Sequence, residues 1–188
     1  IGAPARWALV KRLRHARAEH RSRAAFALGK MGQAAARAVP ALIKLLSDRS
    51  SAPRRAAIIA LGNIGPPASR AVPQLVKRLE SEHKALLRTN AATSIGKIGH
   101  STAAAVKALV RALKDGNRHV VAGACSALGR LWARAAVPAL IRALSHPCRT
   151  VRFSAIEALG RLGPMARAAL PALRALVGKK SDPAANRA

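Results

Sequence analysis

Apolar residues recur along this chain at the three-to-four-residue spacing of a helix face, and no stretch alternates in the manner of a half-buried strand. Two kinds of helical segment follow one another. Val39-Pro40-Ala41-Leu42-Ile43-Lys44-Leu45-Leu46 typifies the first, and Arg54-Arg55-Ala56-Ala57-Ile58-Ile59-Ala60-Leu61 the second. The second kind closes on a motif found five times: Ala27-Leu28-Gly29-Lys30-Met31-Gly32, then residues 60–65, 94–99, 127–132 and 158–163. Its first glycine stands at 29, 62, 96, 129 and 160, so the unit repeats every 31–34 residues. Periods of this length belong to stacked repeats, in which each helix pair buries its apolar face against its neighbours.

The rest of the unit keeps register with that glycine. Eleven residues after it come Pro40, Pro73, Lys107 and Pro171. The fourth repeat is two residues shorter, which brings Pro138 forward, and Trp132 replaces the closing glycine. Proline is tolerated at a helix start, where its missing N–H matters least. Gly32, Gly65, Gly99 and Gly163 suit left-handed caps. Fourteen before the motif glycine lie His15, Asp48, Glu82, Asp115 and His146, mostly acidic, as suits the N-terminal end of a following helix. The spacing predicts helix pairs over about 4–32, 36–65, 68–99, 102–132 and 133–163, with one extra helix at 165–178. That makes about eleven helices and no strand, in a single unit over 1–188. Ser181-Asp182-Pro183-Ala184-Ala185-Asn186-Arg187 reads as the start of a sixth second helix, so the chain is expected to be part of a longer one.

Helical geometry sorts residues by face. Leu28, Leu61, Ile95, Leu128 and Leu159 fall on the core side. The side opposite comprises the positions seven and three before the glycine, the glycine itself and the one after it.

An acidic turn, then Val-Arg, then Ala-Leu-Gly-x-x-Gly and Pro-Ala-Leu resembles the HEAT repeat in its short phycobilisome-lyase-like form, over nearly the whole chain. The resemblance implies an all-α, armadillo-like fold: a right-handed α-α superhelical solenoid of about five helix pairs whose second helices line a concave face. Arg21, Arg54, Arg88 and Arg152 hold the family's arginine position, and Val121 interrupts the arginine–acid ladder expected there. Such folds carry many functions, so no single activity follows.

Charge adds the functional signal. Thirty-four basic residues against seven acidic ones give a net charge of +27. One basic row on the second helices contains Lys30, Lys97, Arg130 and Arg161, with Asn63 in the remaining place. A matching row on the first helices holds Lys11, Lys44, Lys77, Arg111 and Arg142. The concave face is therefore expected to bind a polyanion through Arg21, Lys30, Arg54, Arg88, Lys97, Arg130, Arg152 and Arg161. The partner would be a nucleic-acid backbone, held without sequence selectivity, or an acidic protein surface. An ordinary protein–protein scaffold with incidental charge is the competing reading.

Aromatics make up only 2% of the chain, which limits base stacking. Phe26 and Phe153 are expected to face the groove, and Trp7 and Trp132 to pack. No phosphate loop or nucleophile elbow occurs, so a non-enzymatic protein with no cofactor or metal is expected. The pairs Glu19-His20 and Glu82-His83 run in the reverse order to the His-Glu pairs of an iron-binding HEAT enzyme, deoxyhypusine hydroxylase. HEAT-like DNA glycosylases need a groove carboxylate. Only Glu157 is placed to supply one, and Glu157 and Arg161 have the spacing of an ion pair. Phycobilin-lyase activity has no support beyond the fold. Cys125 and Cys148 are read as reduced thiols of a cytoplasmic protein. No apolar run is long enough to span a membrane, and a monomer is expected.

Overall fold

The computed structural model describes residues 3–180, and within them lie eleven α-helices and no strand. The residues expected to begin a sixth second helix lie outside the described part. First helices are α1 (Ala3–Arg12), α3 (Val39–Leu45), α5 (Val72–Ser81), α7 (Ala103–Ala112) and α9 (Val137–Ala143). Second helices are α2 (Ala18–Lys30), α4 (Ser51–Ile64), α6 (Ala85–Ile98), α8 (Arg118–Arg130) and α10 (Arg149–Leu162), followed by α11 (Leu170–Lys180).

Proline sets where most first helices begin. α3, α5, α9 and α11 each start one residue before a proline, and a 3-10 turn leads into each. Proline has no N–H for the carbonyl four residues upstream, so α-helical bonding cannot extend back through it. Residues 165–169, expected in the extra helix, accordingly form part of the 3-10 turn Gly163–Ala169. α7 has Lys107 in the proline position and begins a turn earlier, where Thr102 Oγ1 accepts the Ala105 N–H at 3.1 Å.

Leu28, Leu61, Ile95 and Leu128 are fully buried and Leu159 is 2% exposed, at equivalent places in one continuous core. The motif glycines are the points where successive second helices touch. A Cβ on Gly29, Gly96 or Gly129 would lie 2.7–2.8 Å from the Cα of Ala60, Ala127 or Ala158 on the next helix. One on Gly62 would lie 2.9 Å from the Cα of Ser94. These four glycines are therefore buried in the stack, not on the outward row where the helical wheel placed them. Gly160 alone follows the wheel: it is exposed, with nothing within 4 Å of such a Cβ among the described residues.

First helices stand further apart. Clefts of about 410 Å³ between α1 and α3 and about 500 Å³ between α5 and α7 open on their side. Close contact in one layer and open clefts in the other bend the stack, with the second helices lining the inner face.

Candidate anion-binding face

Three arginines tie consecutive repeats together at the turns. Arg21 Nε and Nη2 donate to the Asp48 carboxylate at 2.6 and 2.9 Å, while its Nη1 donates to the carbonyls of His15 and Ala16. Arg54 repeats this with Glu82 (2.6 and 2.9 Å) and the carbonyls of Asp48 and Arg49. Arg88 does so with Asp115 (2.7 and 2.9 Å) and the carbonyls of Glu82 and His83. Paired N–H donors matched to a carboxylate form the strongest class of ion pair. Each acid is held below its ordinary pKa, first by the hydrogen bonds from its arginine. Asp48 and Asp115 also accept the N–H two residues on, so one carboxylate shapes its own turn and joins two repeats.

The ladder breaks between the fourth and fifth repeats, on both sides at once. Val121 replaces the arginine and is buried, and His146 replaces the acid. His146 Nδ1 accepts the Cys148 N–H at 3.0 Å, which keeps the turn without a carboxylate. His15 does the same for Arg17 at the start of the stack. Arg152 Nη1 donates to the carbonyls of His146 and Pro147, and Arg152 has no carboxylate partner among the described residues.

This geometry redraws the expected site. Arg21, Arg54 and Arg88 have their forks taken up by the ladder, and Arg152 Nη1 is committed to its own turn, so these four offer fewer free donors to a ligand than the exposed row does. The exposed row is Lys30, Lys97, Arg130 and Arg161, each in the last turn of a second helix. A cation there also faces the negative end of its helix, worth about 0.3–1 kcal/mol. Asn63 occupies the second place and its Oδ1 accepts Lys97 Nζ at 3.0 Å. The Lys30 ammonium lies 5.3 Å from the centre of the exposed Phe26 ring. Beside the row, Ile59, Thr93 and Ser126 form a partly exposed, uncharged strip between Phe26 at one end and Glu157 at the other. The outer row (Lys11, Lys44, Lys77, Arg111 and Arg142) is exposed too, but Arg111 pairs with Glu80.

Other expectations change. Glu157 forms no ion pair among the described residues, so the bridge to Arg161 is not made; both side chains are exposed, where such a pair is worth little. Phe153 is exposed as expected, whereas Trp7 and Trp132, expected to pack, are 69% and 59% exposed. Glu19 and His20 lie in the first turn of α2, and Glu82 is consumed by Arg54 and Arg78. Cys125 is buried, which pushes its thiol up to about 12, and both cysteines are free. No described helix is long and apolar enough to cross a membrane.

Helix pairs stacked on glycine contacts and joined by an arginine–acid ladder define an α-solenoid. The chain belongs to the HEAT-repeat family, whose model matches residues 7–96, 72–135 and 106–188. No curated protein sequence matches it. Among solved structures it resembles a chain in the complex of CpcE and CpcF of phycocyanin lyase from Nostoc sp. PCC7120. That match has 29% identity and a TM-score of 0.74, and covers 84% of this chain. The chain spans 65% of that lyase chain, less than two thirds. A designed armadillo repeat protein in complex with the peptide (KR)4 superposes with TM-score 0.67 at 24% identity, covering 82% of this chain and 80% of the other. A Kap121p mutant gives 0.75 at 16% identity, covering 98% and 22%.

Proposed function

We propose that this protein is a non-enzymatic, cytoplasmic HEAT-repeat scaffold that holds an acidic partner along the inner row Lys30, Lys97, Arg130 and Arg161. The observation that carries this reading is where the carboxylates go. Asp48, Glu82 and Asp115 are spent inside the ladder, which leaves the row facing solvent with Glu157 as the one carboxylate beside it among the described residues. A row of cations with so little counter-charge lowers the free energy of an extended polyanion and speeds its association. The uncharged strip beside it has no Arg, Asn or Gln to read a base edge with paired hydrogen bonds, so a nucleic acid would be held mainly by its backbone.

The designed armadillo protein holds a basic peptide; the sign of charge here calls for the opposite kind. Binding of a labelled duplex and of a labelled poly-glutamate peptide, each measured across salt concentrations, tests the reading. Saturable, salt-sensitive binding of either supports it and identifies the partner class. Absence of binding to both at low salt overturns it. The likeness to a phycocyanin lyase chain favours a second reading, a subunit of a lyase complex. Bilin transfer to an acceptor by the protein with a partner subunit would establish that reading instead.

A further inference from the structure

Trp132 stands where every other described repeat boundary of this kind has a glycine, and it keeps the glycine's backbone. Its φ is 52°, against 55°, 75°, 73° and 52° at Gly32, Gly65, Gly99 and Gly163, and it is the only non-glycine with positive φ among the described residues. The turn is fixed by the Ala133 N–H donating to the Leu128 carbonyl at 3.1 Å. A bulky residue in the left-handed region is strained. The side chain does not offset that strain by burial, because it is 59% exposed. An exposed tryptophan held at a position that favours glycine points to a role outside the fold.

The ring borders an open cleft of about 500 Å³ on the outer layer, between α7 and the turn before α9. Val106, Val110 and Ala133 form its apolar wall, Lys107 and Arg134 supply two cations, and no carboxylate lines it. Lys107 lies there because α7 lacks the proline of its counterparts.

We propose that this cleft is a docking site for an acidic peptide segment with an apolar or aromatic anchor. The anchor packs on Trp132 and its flanking carboxylates face Lys107 and Arg134. An exposed tryptophan beside an apolar wall and two cations can anchor a partner, since tryptophan is among the residues enriched in interaction hot spots once a partner excludes water. The site is separate from the inner row, and either can stand without the other.

The test uses a fluorescein-labelled peptide, Glu-Asp-Leu-Glu-Phe-Asp-Glu, and a control with Leu and Phe replaced by Ser. Trp132→Gly should weaken binding by about tenfold or more. The same change should raise Tm by about 2–4 °C, because it relieves the left-handed strain. Lost binding in a better-folded protein cannot come from damage to the fold. Lys107→Glu with Arg134→Glu should also weaken binding, whereas charge reversal of Lys97, Arg130 and Arg161 should change it less than about threefold. Equal binding by wild type and Trp132→Gly, equal binding of the Ser control, or no saturable binding below about 1 mM would each overturn the proposal.

Discussion

Arg88 and Asp115 lie on consecutive repeats and meet through two hydrogen bonds of 2.7 and 2.9 Å, while the same arginine holds the two carbonyls of its own turn. One side chain therefore fixes both the shape of a turn and the offset between repeats. The same arrangement removes three of the seven acidic residues from the surface. Architecture and surface charge thus share one cause.

The ladder makes stability depend on pH. Asp48, Glu82 and Asp115 are depressed below their ordinary pKa in the folded state. A depressed folded value means the contribution is complete above the unfolded pKa, near 4, and is lost as pH falls through the folded values. Tm should fall as pH drops below about 4, and less steeply in Arg88→Met. Near neutral pH, Arg88→Met should lose about 1–3 kcal/mol in urea unfolding, less than a fully buried pair because its partners keep 20% and 14% exposure. An unchanged pH profile in the variant would contradict this role.

The broken rung can be rebuilt. Val121→Arg alone puts a cation at a site 1% exposed and should destabilise, and His146→Asp alone adds a carboxylate with no fork to meet it. Together they recreate the pairing seen at Arg88 and Asp115. A double-mutant cycle should give a favourable coupling of about 1–3 kcal/mol. Strict additivity would mean that the shortened fourth repeat no longer brings the two positions together.

Equivalent glycines should respond differently to alanine. At Gly96 a Cβ would lie 2.7 Å from the Ala127 Cα, so Gly96→Ala should cost about 1–3 kcal/mol by pushing two helices apart. At Gly160 the space is open, and Gly160→Ala should be neutral or stabilise by up to about 1 kcal/mol through helix propensity. Thermal unfolding of the two variants side by side decides it.

Much of this is legible in the sequence. The motif glycine recurs in register, and that alone places the helices and the buried Leu28, Leu61, Ile95, Leu128 and Leu159. The glycine's own direction was not legible, because a wheel for one helix says nothing of how closely the next approaches. Gly96 looks outward on its own helix and is buried by Ala127 of another. The arginines eight before the glycine were ambiguous for the same reason. Their turn carbonyls are local, but the acid they meet lies 27 or 28 residues away. Trp132 departs from the expectation that a tryptophan packs, because the left-handed turn it occupies directs it to the surface. The sequence signal for this is its place in the repeat, where Gly32, Gly65, Gly99 and Gly163 stand in the others.

The most direct test of the inner row is a salt titration of duplex binding with two triple variants. Four exposed cations limit the slope of log K against log salt to about −3.6. Charge reversal of Lys97, Arg130 and Arg161 should flatten the slope to about −1 and abolish binding at physiological salt. Reversal of Lys44, Lys77 and Arg142 on the outer face should leave the slope nearly unchanged and weaken binding only through the general field. Equal losses from the two variants would contradict the account, since they would show that net charge binds and the inner row does not.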